Sequence, residues 1–189
     1  MTSDVVRRAQ PGDARSLAEL AERVFREAFA AVNTPENMAR HCRDSYGESI
    51  QAREISDPRR ATFVCERHGR LVGYAQLRWG PPPRGVVGSA PGEIQRLYVA
   101  GECHGRGVAQ RLMQACLDEL AARGSDVAWL GVWEHNPRAI AFYGKYGFVA
   151  VGEQVFPVGD DPQRDFVMAR PVAGRPADAR SPDAQPPGT

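Results

Sequence analysis

Two glycines one residue apart, Gly105 and Gly107, separate a run of strand-forming residues from a long amphipathic run. No other feature limits the fold of this chain as much. Upstream, residues 93–99 (Glu-Ile-Gln-Arg-Leu-Tyr-Val) read as a strand. Downstream, Ala109, Leu112, Met113, Cys116, Leu117 and Leu120 recur at helical spacing, so the pattern predicts a helix over 105–123 with Gly124 as its left-handed cap. The glycines let backbone approach a ligand closely. The helix start offers unpaired N–H groups and the positive end of the dipole. That combination cradles a phosphate or pyrophosphate, although the same glycines suit a plain turn. Two nucleotide readings fail. No Gly-Lys-Ser/Thr follows for a phosphate-binding loop of the Walker type, and Gln110 stands where a dinucleotide fingerprint needs a third small residue.

The remaining periodicities order the chain around this unit. Residues 4–9 form a short strand, and Pro11-Gly12-Asp13 turns into a helix carrying Leu17, Leu20, Val24, Phe25 and Phe29. Thr34 caps and Pro35 opens a second helix to about Tyr46, with a polar helical stretch to Ser56 that Asp57-Pro58 breaks. Residues 61–66 and 71–79 alternate around a His68-Gly69 turn. A loop through Pro81-Pro82-Pro83 and 85–92 leads to the 93–99 strand. Residues 126–133 are apolar on both faces, hence an interior strand. A short helix over 138–146, closed by Gly147, precedes closing strands at 148–156 and 165–169. The order β-α-α-β-β-β-α-β-α-β-β predicts an α/β fold with a mixed sheet flanked by helices. The domain is expected over 1–170, and the Pro-rich stretch 171–189, with one Val and no aromatic, reads as a disordered tail.

Composition removes several function classes. Lys+Arg 24 balances Asp+Glu 23, a net charge of +1, so no global charge argues for nucleic acid or an anionic membrane. No apolar run approaches the ~20 residues of a membrane span, and the N-terminal residues do not resemble a signal peptide. The cysteines at 42, 65, 103 and 116 match no disulfide or zinc spacing, and His41, His68 and His135 have no partners at metal spacing. The expectation is free thiols, no metal and a cytoplasmic location. Lys145 is the only lysine in the chain.

A second motif completes the picture: Asn136-Pro137-Arg138-Ala139-Ile140-Ala141-Phe142-Tyr143-Gly144-Lys145-Tyr146-Gly147-Phe148, placed after the interior strand where ligands of open sheets collect. In isolation Phe142 and Tyr143 suit a core as well as a site. Together, the 93–99 strand, the Gly105/Gly107/Ala109 turn and Asn136…Ala139…Phe142-Tyr143…Gly147-Phe148 resemble the GNAT superfamily of N-acetyltransferases in order and spacing. The resemblance runs from about Asp4 to Ala169. His104 stands where that family usually has Gln or Arg, a small departure because the loop acts through backbone N–H groups. Trp129-Leu130-Gly131-Val132-Trp133-Glu134, the stretch 156–165 and Asn33-Thr34-Pro35-Glu36-Asn37-Met38 further resemble the bacterial spermidine/spermine acetyltransferase branch.

The resemblance implies a mostly antiparallel sheet whose splayed central strands bind acetyl-CoA as co-substrate. It implies that pantetheine pairs with the backbone of Leu97 and Val99, beside Tyr98, and that the pyrophosphate rests on His104, Gly105, Arg106, Gly107, Val108 and Ala109. Arg106 adds charge there or is simply solvated. Asn136 bonds the pantetheine arm, caps its helix, or does both, and Ala139 and Phe142 belong to the same wall. Lys145 reaches the ribose phosphate or is a surface cation. The attacking amine must be neutral, yet a lysine-like amine has a pKa of about 10.4, so a base or water chain takes a proton. Glu93 is the preferred carboxylate and Glu134 its rival. Tyr143, rather than Tyr146, is the implied acid for the leaving thiolate, and a backbone N–H near Val99 meets the oxyanion. Glu153, Asp160, Asp161 and Asp165 either attract a polycation or form a solvated acidic loop. The acceptor is a small amine or polyamine; a protein or peptide N-acetyltransferase and a non-catalytic acyl-CoA regulator are the alternatives. No nucleic-acid or membrane partner is expected, and a homodimer is compatible with the resemblance.

Overall fold

The computed structural model describes residues 4–172. Its strands are β1 (Val5–Arg8), β2 (Arg60–Arg67), β3 (Arg70–Arg78), β4 (Pro91–Val99), β5 (Val127–Trp133), β6 (Val149–Val158) and β7 (Asp161–Pro171). The helices are α1 (Ala14–Phe29), α2 (Pro35–Tyr46), α3 (Glu48–Ser56), α4 (Val108–Ala122) and α5 (Pro137–Lys145). The strands form one sheet in the order β1-β2-β3-β4-β5-β7-β6. Every pairing is antiparallel except β4 with β5. This is the mixed, mostly antiparallel α/β sheet that the sequence predicts.

Two apolar layers cover the sheet. On one face α1 and α2 bury Leu17, Val24, Phe25, Met38 and Tyr46 against Val64 and Tyr74. On the other, α4 buries Val108, Leu112, Met113, Cys116 and Leu120 against Ala75, Leu77, Ala128 and Leu130. Each large apolar side chain buried this way contributes about 1.5–3 kcal/mol, so α4 is firmly seated behind the glycine turn. All four cysteines are buried free thiols.

The structure moves several expected boundaries. The helix predicted from residue 105 starts at Val108, because Gly105 and Gly107 adopt φ of 73° and 78° and make a turn in front of it. The polar stretch after Tyr46 is a separate helix, since Gly47 has an extended ψ of 148° and breaks α2 from α3. The closing strands are longer than predicted, and the region read as an acidic loop is the tip of a β6–β7 hairpin that turns at Gly159, φ 62°. Pro157 and Pro162 lie within these longer strands. They pair with each other at the hairpin tip, past the end of β5, where neither needs a donor for an inner ladder. The last strand reaches Pro171, and the Val172 N–H donates to the Asp126 carbonyl at 2.9 Å. The remainder of the expected tail, 173–189, lies outside the described residues.

Candidate active site

β4 and β5 pair only at Pro91↔Val127, Gly92↔Ala128 and Glu93↔Trp129, and then diverge. The cause is local. Gln95 is an extra residue on β4, because Gln76 pairs with Arg96 while Leu77 pairs with Ile94. Such a bulge bends the strand that carries it. The divergence opens a cleft of ≈ 1090 Å³ through the sheet, bounded by α1 and α2 on one face and by α4 and α5 on the other.

Backbone groups of β4 face this gap. The Ala100 N–H donates to Val72 of β3 at 2.9 Å, so by alternation Tyr98 also turns its backbone to β3 while Leu97 and Val99 turn theirs to the cleft. The Val99 carbonyl is already engaged by His104 Nε2 at 2.9 Å. Arg138 Nη1 lies 3.2 Å from His104 Nδ1, an arrangement in which the guanidinium donates to Nδ1 and Nε2–H donates to the Val99 carbonyl. An arm pairing with β4 therefore has Leu97 and the Val99 N–H to use, and not the Val99 carbonyl.

At the mouth, α4 begins without a side-chain cap. A Cβ at Gly105 would meet nothing within 4 Å, and one at Gly107 would meet Arg111 Nη1 at 3.3 Å, so the turn is open to solvent. A phosphate group fits this cradle: backbone donors, a dipole end and no side chain in the way.

The expected site residues separate into two groups. Glu93, Leu97, Tyr98, Val99, His104, Ala109, Asn136, Ala139, Phe142 and Tyr143 all line the cleft. Gly105, Arg106 and Gly107 lie outside its lining at the open turn, with Arg106 exposed, and Val108 turns its side chain into the core, so only its backbone can serve a ligand. Lys145 is exposed at the last turn of α5, away from the cleft lining. Asn136 Oδ1 accepts the Ala139 N–H at 3.0 Å, so it caps α5, and its Nδ2 group is left for a ligand.

Glu93 is 8% exposed and receives Arg78 Nε at 2.7 Å and Nη2 at 2.6 Å. Burial raises its pKa above the ordinary carboxylate value, and Arg78 opposes that shift. Its rival Glu134 does not line the cleft. Arg164 clamps it, through Nε at 2.9 Å and also through Nη2, and holds its pKa low. A surface carboxylate locked to an arginine is no base for a reaction in the cleft. Tyr143 is buried beside Phe142 and Phe148, with ring centroids at 5.5 and 6.0 Å. Burial raises its phenol well above the ordinary value, so it carries its proton at neutral pH. Tyr146 sits on Phe142 at 5.1 Å but does not line the cleft.

Sequence reasoning missed Arg96 and left the place of Asp165 open. Arg96 is buried under Tyr46, 5.1 Å from its ring, and donates to Glu54 at 2.9 Å and Gln76 at 2.6 Å. This network ties α3 to the floor of β3 and β4. Asp165 is 7% exposed on β7, not in a solvated loop. Its parity with Val167 and Ala169 on one strand was the available signal, since alternate residues share a face.

Among the described residues, no group of three or more His, Cys, Asp or Glu could hold a metal ion, and no helix is long and apolar enough to cross a membrane.

Comparison with known proteins agrees with this geometry. Residues 15–148 match the family model for the acetyltransferase (GNAT) family. An uncharacterized N-acetyltransferase of Mycobacterium tuberculosis is 37% identical over 158 residues, covering 84% of this chain and 97% of that protein. An uncharacterized N-acetyltransferase of Lactobacillus delbrueckii subsp. lactis is 28% identical over 170 residues, covering 90% of this chain and 98% of its own. Among solved structures, the PaiA N-acetyltransferase of Thermoplasma acidophilum in complex with coenzyme A superposes with a TM-score of 0.71 at 20% identity, covering 89% of this chain and 99% of that one.

Proposed function

The chain belongs to the acetyltransferase (GNAT) family, and from that premise we propose that it transfers the acetyl group of acetyl-CoA to a small primary amine. The observation that carries this reading is the gap between β4 and β5, with a phosphate cradle at its mouth and a buried Glu93 at its vertex.

In this reading the pyrophosphate rests on the turn Gly105–Gly107 and the first N–H groups of α4. The pantetheine arm adds alongside β4, bonded by Leu97, the Val99 N–H and the Asn136 amide. The thioester carbonyl then points at the β4 N–H groups, which stabilise its oxygen as charge develops. Glu93 accepts the ammonium proton, directly or through water, because its raised pKa brings it nearer to a useful base. The neutral nitrogen attacks the acetyl carbon, the C–N bond forms and the C–S bond breaks. Tyr143 gives its proton to the departing sulfur, and the second proton that the attacking nitrogen sheds to become an amide returns through water to the phenolate.

A polyamine acceptor is the second reading, suggested by the resemblance to the spermidine/spermine branch and by the acids near the β6–β7 hairpin. Most of those acids are matched by arginines: Glu134 and Glu153 by Arg164, and Asp160 by Arg40. That pairing favours a singly charged amine. The test is thiol release from acetyl-CoA across a panel of aryl-alkyl amines, aliphatic amines, polyamines and peptide N-termini. Thiol release with at least one small amine is expected; release with peptides alone, or with no amine, overturns the proposal.

A further inference from the structure

Asp165 stands opposite Trp133 on β5 and Gln154 on β6, in the part of the cleft that faces α1 and α2. Its one side-chain bond is to Gln154, and among the described residues no arginine, lysine or histidine pairs with it. The neighbouring acids differ: Glu93 has Arg78, Glu134 has Arg164 and Asp160 has Arg40. Burying a carboxylate without a counter-ion is costly, so the position is paradoxical unless something else supplies the charge.

Space has been left for such a group. A Cβ at Gly131 would come within 3.1 Å of Asp165 Oδ2 and collide with Gln154 Nε2, so the pair lies directly over that glycine. Two residues earlier on the same face of β5, Trp129 lines the cleft, is 5% exposed, and has an Nε1–H without any partner. The cradle thus holds a carboxylate without a counter-ion and an amide that can accept from a cation, while the indole N–H beside them is left for an acceptor atom. Its outer wall is aromatic. Phe29 meets Trp133 at 5.8 Å, and His41 meets Phe156 at 5.6 Å. Burial, assisted by the charge of Arg96, lowers the pKa of His41, so this ring is an uncharged wall.

We propose that Asp165, with the Gln154 amide oxygen, is the docking site for the ammonium group of the acceptor, and that the acceptor is a monocationic amine with an aromatic body. The proposal rests on the acetyl-transfer reading and specifies its second substrate. The Asp165 carboxylate reaches the level of Gly131, two residues along β5 from the Trp129 that pairs with Glu93 and one strand across from it, so the docked nitrogen lies roughly 8 Å from Glu93, a span that a short water chain covers. The body of the amine stacks between Trp133 and Phe156. Of the two buried carboxylates that line the cleft, Glu93 is held by Arg78, which leaves Asp165 as one charge for one cation.

The test is calorimetric titration of phenethylamine, and of the neutral 2-phenylethanol, into the CoA-loaded protein. Asp165→Asn should weaken phenethylamine at least tenfold, leave 2-phenylethanol within twofold and leave CoA affinity unchanged. Gly131→Ala, which intrudes on the Asp165–Gln154 pair without removing the charge, should weaken both phenyl compounds. Phenethylamine affinity within twofold of the parent in Asp165→Asn overturns the docking site, while thiol release with that amine would leave acetyl transfer standing. Asp165-dependent binding without thiol release for any amine would instead overturn the acetyl-transfer reading and keep the site. Spermidine binding tighter than phenethylamine, with the same dependence on Asp165, overturns the monocationic acceptor.

Discussion

The Glu93 carboxylate accepts two hydrogen bonds from Arg78, yet its pKa lies above the ordinary value. Burial outweighs the guanidinium. Arg78 therefore sets how basic the group is rather than whether it is charged. Removing the base should cost chemistry and spare binding. Glu93→Gln is expected to lower single-turnover acetyl transfer by about 10²-fold, at the lower end for a general base because water remains available. Arg78→Met should raise the Glu93 pKa further and move the acidic limb of the kcat/KM profile to higher pH. A limb that stays in place would remove Glu93 from the proton path.

Tyr143→Phe removes one hydroxyl and keeps the ring against Phe142 and Phe148. Because a thiolate leaves more easily than an alkoxide, the loss should be near 10²-fold in single-turnover rate, the lower part of the range for a positioned acid. Acetyl-CoA affinity should change less than about threefold, a fraction of a kcal/mol. Since burial raises the phenol pKa, no basic limb from this group should appear below its ordinary value of 10.0. A variant as fast as the parent would transfer the acid role to water.

Gly107 carries φ 78° directly before α4, a conformation that costs a side-chain-bearing residue about 1 kcal/mol or more. Gly107→Glu adds that strain and a negative charge at the phosphate cradle. CoA binding should be lost, with the circular dichroism spectrum preserved. An unchanged dissociation constant would show that the turn does not hold the ligand.

Asp165 makes a prediction about stability. Its pKa is pushed from 3.8 to about 6 by burial, with the Gln154 bond working against the shift. Tyr98 on β4 lines the same cleft and is raised to about 12, so it is neutral throughout. Glu93 and Arg96 of β4, Arg78 of β3, Glu27 of α1, Arg40, His41, Asp44 and Tyr46 of α2, and His135 after β5 are among the other titratable groups lining that space. The folded state binds a proton more tightly than the unfolded chain between pH 3.8 and about 6. Its contribution to stability therefore falls as pH rises through that window and stays low above it. The displacement corresponds to at most about 3 kcal/mol. Asp165→Asn should raise the Tm at pH 7.5 and lose that advantage near pH 4. Equal melting of the two proteins at both pH values would contradict the burial argument. A residue that destabilises the empty protein fits a binding role.

The frame of this architecture was legible because it rests on local signals. Gly105, Gly107 and Gly124 each mark a turn that only the backbone decides, and the 3.6-residue spacing of Leu112, Cys116 and Leu120 gives α4 its buried face. What escaped depends on partners distant in sequence. Glu134 is a rival to Glu93 in the sequence, and only its contact with Arg164, on another strand, removes it. Asp165 sat among exposed acids in the chain and is buried in the fold, because hairpin register, not composition, chooses its face. Gln95 gives no warning of the bulge that opens the cleft, since a bulge is a property of two strands.

The divergence of β4 from β5 places an edge in the middle of a seven-stranded sheet. On the outside of a protein such an edge invites any passing strand and leads to aggregation. Here it is roofed by Ala139, Phe142 and Tyr143 on one face and by Phe29 and His41 on the other. A peptide strand with side chains on both faces would strike those roofs. A slender arm carrying its own amides would not. The fold thus turns a hazard into a gauge of cross-section, admitting a thread where it refuses a ribbon.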